Sequence, residues 1–252
     1  MSATSGAAYS AGAEAWAEGP MRLYGRLAEE LVGRCPIDLH GRSVLDLGAG
    51  TGAASIAARE ADVIAVDNAI GMLLSGRAAR PPAAVGDALA LPFRDRAFDV
   101  VIAAFVLNHL AEPASGVREA GRVAREHVLA ATYAADDDHP VRQAVTCALV
   151  EAGWSSPAWY REFTSRRSWG TIEAATAAVE RGGLTPVCVE DVRVPFPDLG
   201  PRELVRWRMG MAQCAAFVAS HDARAIEMRA LELLGDAAPV VRSVIFITAR
   251  AS

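Results

Sequence analysis

From about residue 43 onward, short apolar runs rich in β-branched residues alternate with Ala-, Arg- and Leu-rich stretches of helical period. Strictly apolar strands that alternate with helices are typical of a parallel sheet covered on both faces. The pattern therefore predicts an α/β fold with a doubly wound, mostly parallel sheet that binds ligands at the carboxyl ends of its strands. The predicted strands are Ser43–Gly48, Val63–Asp67, Ala83–Asp87, Asp99–Val106 and His127–Tyr133, and the predicted helices between them are Thr51–Glu60, Ala69–Ala79 and Pro113–Arg125.

The regular alternation ends after Tyr133, and two longer segments then interrupt the sheet. The acidic run "DDDHP" at 136–140 is typical of a solvated turn. Because neither segment has enough chain to bury a core of its own, we expect a single domain over residues 1–252. Its predicted parts outside the regular alternation are a helical segment at 1–40, cap insertions at 139–181 and 197–240, helices at Pro201–Ser220 and Ala223–Leu234, and strands at Thr185–Val194 and Ser243–Ala249.

Composition and charge narrow the function further. The formal net charge of −5 argues against a protein that binds nucleic acid through a basic face. All 25 basic residues are arginine, so lysine chemistry is excluded. The four cysteines lie far apart without metal-type spacing, and we expect no metal site. Without an apolar run long enough to span a bilayer, the sequence predicts a cytoplasmic protein with a small-molecule partner.

The stretch "VLDLGAGTGAAS" at 44–55 places three glycines at alternate positions between a predicted strand and a predicted helix. A loop of this kind can hold the pyrophosphate of a dinucleotide or part of S-adenosylmethionine. Asp46 lies inside the strand, two residues before Gly48, where a carboxylate disfavours a pyrophosphate. A carboxylate there suits a ligand with an ammonium or sulfonium group.

Polar residues follow the next three predicted strands at the same edge of the sheet. Asp67 ends the second strand at the distance where an acid meets a pair of ribose hydroxyls. Asp87 ends the third strand, where it could accept a hydrogen bond from an adenine amino group. Asn108 and His109 follow the fourth strand and are placed over the same site. Either acid could instead cap the next helix.

Together these motifs resemble the class I S-adenosylmethionine-dependent methyltransferases, particularly the small-molecule branch similar to the ubiquinone and menaquinone methyltransferases. The resemblance covers about residues 40–133. It implies that the glycine loop bends under the methionine portion, that Asp67 binds both ribose hydroxyls, and that Asp87 and Ala88 flank the adenine. A "PGG" turn usual in that family is replaced here by "RVAREHVLA" at 122–130. The cofactor-binding residues implied are Asp46, Gly48, Ala49, Gly50, Gly52, Asp67, Asn68, Met72, Asp87, Ala88, Ala103 and Ala104.

Methyl transfer needs no protein nucleophile, and it needs a general base only when the acceptor is a hydroxyl or a protonated amine. His109 is the candidate catalytic base, because histidine titrates near neutral pH and this one follows the fourth strand. Its alternative role is packing at a helix start. The candidate substrate-binding residues are Asn108, Trp159, Tyr160, Arg166 and Trp169, in which aromatic faces would cover a planar acceptor and an arginine would receive a carboxylate or phosphate.

The function predicted from these residues is methyl transfer to a small molecule, in specialised metabolism as one setting. The sequence leaves open a non-methylating enzyme, such as a cyclase, that retains the bound cofactor. It also leaves open a binding protein with a degenerate site, and an NAD-dependent oxidoreductase.

Overall fold

Seven strands and twelve α-helices form the part of the chain that the computed structural model describes, residues 3–78, 80–165, 169–236 and 239–251. A short 3-10 helix, Leu107–His109, follows β4. The strands are β1 (Ser43–Leu47), β2 (Asp62–Asp67), β3 (Ala83–Val85), β4 (Phe98–Ala104), β5 (Ala124–Tyr133), β6 (Thr185–Phe196) and β7 (Val240–Arg250). The helices are α1 (Ala3–Ala11), α2 (Ala13–Glu18), α3 (Pro20–Val32), α4 (Ala53–Ala57), α5 (Ile70–Ser75), α6 (Pro113–Val123), α7 (Pro140–Glu151), α8 (Ala158–Ser165), α9 (Ile172–Arg181), α10 (Pro201–Met209), α11 (Ala212–Ala219) and α12 (Ala223–Leu234).

All seven strands belong to one sheet in the order β3-β2-β1-β4-β5-β7-β6. The first five strands pair in parallel, and β7 is antiparallel to both β5 and β6. The predicted mostly parallel, doubly wound α/β sheet is therefore confirmed. The strand order reverses between β1 and β4, and a crevice for ligands opens at such a switch point.

The core lies in two layers, one on each face of the sheet. Successive strand residues point to opposite faces, so Val100 and Ile102 of β4 join one layer while Val101 and Ala103 join the other. Both layers are fully buried at these positions, which explains why β4 is apolar from Val100 to its end at Ala104.

Several helices differ from their predicted bounds. The predicted helix Pro201–Ser220 is divided into α10 and α11 at Gly210. A Cβ at Gly210 would lie 2.5 Å from the carbonyl oxygen of Ala15, so the helix is interrupted at the residue where α2 approaches it closely. The helix predicted at Thr51–Glu60 is shorter, Ala53–Ala57, and the predicted Ala69–Ala79 spans Ile70–Ser75, with Ala79 itself outside the described residues.

The segments predicted as cap insertions are helical where they are described. Helices α7, α8 and α9 lie between β5 and β6, and α10, α11 and α12 lie between β6 and β7. Within the described ranges, no helix is long and apolar enough to cross a membrane.

Candidate active site

One large cavity opens at the carboxyl ends of β1, β2, β4 and β5. Its empty space, which includes open solvent at its mouth, is about 1660 Å³. Further wall residues come from helices α1, α2, α3, α4, α5, α7, α8, α10 and α11 and from the start of β7. Eleven of the predicted site residues line it: Asp46, Gly48, Ala49, Gly50, Asp67, Met72, Ala104, Asn108, His109, Tyr160 and Trp169.

The three glycines of the loop after β1 all have left-handed backbone conformations. Their φ angles are 72° at Gly48, 54° at Gly50 and 100° at Gly52. A Cβ at Gly48 would lie 2.3 Å from Val106 Cγ2, so this position is closed to any side chain. Gly52 does not line the cavity but is the residue at which α4 begins. The glycine pattern therefore reflects a tight turn that carries the backbone past the cavity.

Asp67 ties this loop to the end of β2. Its Oδ2 accepts a hydrogen bond from the Gly50 N–H at 2.8 Å, and its Oδ1 accepts one from the Ala69 N–H at 2.8 Å. Burial raises the pKa of this carboxyl group above its ordinary value, while these N–H groups act in the opposite direction. Each oxygen keeps a second lone pair for a ligand hydroxyl.

Asp46 is buried in β1 and faces the first turn of α4. Its Oδ2 accepts hydrogen bonds from the Ser55 N–H at 2.8 Å and from the Ser55 Oγ–H at 2.6 Å. Burial raises its pKa to about 6, so the group is mostly ionised at pH 7. A buried carboxylate at the cavity wall suits a cationic ligand group rather than a pyrophosphate.

Two buried amide oxygens near the loop have no hydrogen-bond partner among the described residues, Asn68 Oδ1 and Asn108 Oδ1. Asn68 and Ala88 line a small second cavity that shares Gly48 and Asp67 with the large one. A buried acceptor without a partner costs free energy, so a donor on a ligand would satisfy it. The resemblance implied an adenosine pocket at these residues.

Three further predicted residues within the described ranges do not line the cavity. Asp87 is exposed, and its Oδ1 accepts a hydrogen bond from the Leu89 N–H at 3.1 Å, so the carboxylate stabilises a turn. Ala103 belongs to the core layer on the other face of the sheet, since successive strand residues point to opposite faces and its neighbour Ala104 points to the cavity. Trp159 contacts the rings of Tyr9 and Tyr160 but does not line the cavity. Arg166 lies outside the described residues.

His109 lies at the cavity wall within an aromatic cluster. Its ring stacks on Phe163, with centroids 4.4 Å apart and an interplanar angle of 12°, and its Nε2 lies 3.3 Å from the Tyr9 hydroxyl. Burial lowers its pKa to about 4, so the ring is neutral at pH 7. A base with so low a pKa removes protons poorly at neutral pH.

The burial of His109 should be measurable as a pH dependence of stability. Its folded-state pKa of about 4 lies below the ordinary 6.5. The unfolded chain therefore binds the extra proton, and stability is lost as the pH falls between these values. When the pH falls from 7 to 4.5, His109→Phe should lose about 2 kcal/mol less unfolding free energy than the wild-type protein loses.

Urea denaturation of both proteins at the two pH values measures this difference. The exposed His40 supplies the control, and His40→Phe should follow the wild-type pH dependence. Parallel curves for wild type and His109→Phe would contradict a buried neutral His109.

Most aromatic residues of the cavity wall were missed by the sequence analysis. Trp16 and Tyr24 stack with centroids 4.9 Å apart, and Tyr24 meets Phe105 edge to face at 5.3 Å. Phe105 has a φ of 56°, a left-handed conformation that turns the chain directly after β4. Trp16 belongs to the helical segment predicted at 1–40, for which no ligand contact was predicted. The aromatic residues that line the cavity are Tyr9, Trp16, Tyr24, Phe105, Tyr133, Tyr160, Phe163, Trp169 and Trp207.

The run "DDDHP" is only in part the solvated turn that the sequence predicted, because Asp136, Asp138 and Pro140 are exposed while Asp137 and His139 are buried. Asp137 is buried and accepts hydrogen bonds from Arg242, with Nη2–Oδ2 at 2.6 Å and Nε–Oδ1 at 3.0 Å, and from the Ser243 N–H at 2.9 Å. His139 is buried too, where it caps α7 by accepting the Arg142 N–H. Asp137 and Arg242 thus join the β5 terminus to the start of β7 at the cavity wall.

Residues 45–131, which run from β1 almost to the end of β5, match the family described as a methyltransferase domain. This segment contains the glycine loop, Asp67 and His109. The resemblance to class I S-adenosylmethionine-dependent methyltransferases is confirmed over this segment.

Among curated proteins, the demethylmenaquinone methyltransferase of Renibacterium salmoninarum is 40% identical over 111 residues, which are 42% of this chain and 45% of the relative. The demethylmenaquinone methyltransferase of Mycolicibacterium gilvum is 38% identical over 109 residues, 42% of this chain and 46% of the relative. The chain spans less than half the length of these curated relatives.

Solved structures resemble a larger part of the chain at lower identity. Haemonchus contortus phosphoethanolamine N-methyltransferase 2 in complex with S-adenosyl-L-methionine has a TM-score of 0.55 at 19% identity, over 89% of this chain and 52% of that one. The cyclase SpnF has a TM-score of 0.55 at 20% identity, over 90% of this chain and 80% of that one. These similarities show the fold, which carries more than one kind of chemistry.

Proposed function

We propose that this chain, whose residues 45–131 form a methyltransferase domain, holds S-adenosylmethionine against its glycine loop and transfers the methyl group to a small molecule. One observation carries the proposal. The loop after β1 and the Asp67 carboxylate border the same large cavity as nine aromatic side chains. A polar cofactor edge and an aromatic acceptor space therefore share one enclosure.

The residues at the loop fit the cofactor by three features. Because Gly50 has no side chain, its backbone stays open toward the cavity. A Cβ at this position would lie 3.2 Å from Met72 Cε and would fill that space. Asp67 has lone pairs left for ribose hydroxyls, and the unpaired Asn68 Oδ1 can accept a hydrogen bond from the adenosine. The ionised Asp46 would attract an ammonium or sulfonium group.

When bound, S-adenosylmethionine supplies a methyl group on a sulfonium that a nucleophile can displace in line. The aromatic walls exclude water and orient the acceptor, and alignment of two reactants can contribute roughly 7–11 kcal/mol to the rate. The neutral His109 ring can orient an acceptor hydroxyl by accepting its hydrogen bond beside Tyr9. Its low pKa makes that role a better fit than proton removal.

Cofactor binding provides the direct test. Titration calorimetry should show binding of S-adenosylmethionine and S-adenosylhomocysteine and none of NAD, because Asp46 disfavours a pyrophosphate at the loop. Binding heat with NAD, and none with either S-adenosylmethionine or S-adenosylhomocysteine, would refute the proposed cofactor.

Turnover separates methyl transfer from use of the scaffold alone. The protein is incubated with methyl-labelled S-adenosylmethionine and a panel of quinols, phenols and aromatic amines, and S-adenosylhomocysteine is quantified. We expect label in one class of acceptor, with an equal amount of S-adenosylhomocysteine. Tight cofactor binding without turnover on any acceptor would favour a non-methylating enzyme.

A further inference from the structure

The cavity contains a buried arginine that no described carboxylate neutralises. Arg208 of α10 is 8% exposed and lines the cavity. Its Nη2 lies 3.5 Å from the Tyr160 hydroxyl, and its Nε has no hydrogen-bond partner among the described residues. The salt bridges of the described chain do not include it. Arg208 therefore holds an uncompensated positive charge inside the protein.

Other buried donors that line the same cavity also lack a partner among the described residues: Gln213 Nε2, Arg242 Nη1, Trp169 Nε1, Trp207 Nε1 and the Tyr133 hydroxyl. Arg242 directs its Nε and Nη2 to Asp137, which leaves Nη1 free. The guanidinium of Arg242 also lies over the Tyr133 ring at 3.8 Å and over the Trp207 ring at 5.0 Å. The unpaired donors thus lie among aromatic faces.

An unpaired buried charge and unpaired buried donors are costly unless a ligand completes them. Arginine is suited to this role, because its planar fork binds carboxylate and phosphate oxygens in pairs and stacks on aromatic rings. The polarity of the cavity is divided accordingly. Near the glycine loop, the buried atoms without a partner among the described residues are the acceptors Asn68 Oδ1 and Asn108 Oδ1 and the donor Arg80 Nε, which does not line the cavity. Arg208, Gln213 and Arg242 are donors that line it.

We propose that the methyl acceptor is an aromatic anion, whose carboxylate or phosphate oxygens bind Arg208 with help from Gln213 and Arg242. This inference rests on the proposed function, because it assigns the aromatic space to the acceptor. Arg208, Gln213 and Arg242 lie on α10, α11 and β7, and none of them belongs to the loop after β1. Their position favours the acceptor over the carboxylate of the cofactor as the bound anion.

The test uses three naphthalene probes of nearly the same shape: 2-naphthoate, 2-naphthyl phosphate and neutral 2-naphthamide. Each is titrated into the full-length protein, with and without S-adenosylhomocysteine, and binding is followed by tryptophan fluorescence and calorimetry. At least one anion should bind about 10- to 100-fold more tightly than the amide, and the anion preferred distinguishes a carboxylate from a phosphate.

Arg208→Gln should abolish the preference for the anion while S-adenosylhomocysteine affinity stays within about twofold of wild type. Arg202→Gln is the matched control, because Arg202 lies on the same helix with 56% of its side chain exposed and forms an ion pair with Glu227 at 3.6 Å. It should retain the full preference. If Arg208→Gln does not fold, Gln213→Leu serves in its place and should reduce the preference several-fold.

Three results would overturn the inference. The wild-type protein could bind the amide as tightly as both anions. Arg208→Gln, folded as judged by its melting temperature, could keep the anion preference. Arg208→Gln could weaken S-adenosylhomocysteine alone, which would assign the arginine to the cofactor carboxylate. Failure of the proposed function looks different, since S-adenosylhomocysteine would then not bind although the Arg208-dependent anion preference persists.

Discussion

Replacing Asp137 with alanine is expected to lower the free energy of unfolding by about 3–5 kcal/mol. Asp137 and Arg242 are both buried, with side chains 7% and 5% exposed, and they share a paired salt bridge with Nη2–Oδ2 at 2.6 Å. Removing the carboxylate leaves the guanidinium buried without a counter-charge, and it also leaves the Ser243 N–H without its acceptor. Urea denaturation followed by circular dichroism measures the loss.

The neighbouring acid provides a matched control. Asp138 is 47% exposed and pairs with Arg142 at 3.2 Å, so Asp138→Ala should cost no more than about 1 kcal/mol. The double variant Asp137→Leu/Arg242→Met should recover much of the lost stability, because an apolar pair replaces both charges. If Asp137→Ala and Asp138→Ala lowered the free energy of unfolding equally, the buried Asp137–Arg242 pair would contribute no more than an exposed one.

Asp67→Ala is expected to weaken S-adenosylmethionine binding by about one to two orders of magnitude. Two losses combine in this variant. The proposed charge-assisted contact to the ribose is removed, and the Gly50 N–H loses the acceptor that holds the loop in its left-handed turn. Asp67→Asn, which keeps one acceptor oxygen, should lose less. Calorimetric titration gives the affinities.

Asp62 lies at the exposed start of the same strand, and Asp62→Ala should bind the cofactor as wild type does. The melting temperature of Asp67→Ala without ligand separates binding from folding. Unchanged affinity in a folded Asp67→Ala would leave Asp67 as a purely structural residue of the turn.

The fold, and the loop and acids that line one edge of the cavity, could be predicted from local signals. The alternation of apolar strands with helices defines a doubly wound sheet, because β-branched runs buried on both faces admit few other arrangements. The glycines at 48, 50 and 52 were informative because each adopts a φ that other residues rarely reach. Asp46 and Asp67 were found for a similar reason, as acids at the end of a buried strand.

Local signals were misleading where a choice between two faces or two partners mattered. The fourth strand ends in two alanines, and the register of the pleat directs Ala104 to the cavity and Ala103 to the core. Asp87 stays a predicted adenine contact, and in the structure its Oδ1 accepts a hydrogen bond from the Leu89 N–H in the turn after β3. An acid at a strand end has both uses, and its sequence does not distinguish them.

By itself, then, the sequence determined a parallel α/β sheet with a glycine loop and two acids at one edge, because these features depend on neighbours in the chain. Only the tertiary structure decided which charged side chains line the cavity. Arg208 and Arg242 lie on α10 and β7, far along the chain from the loop. The buried partner of Arg242 is Asp137, which the sequence does not distinguish from the exposed acids beside it in "DDDHP". Burial and pairing of charges arise from long-range packing, which no local pattern of residues encodes.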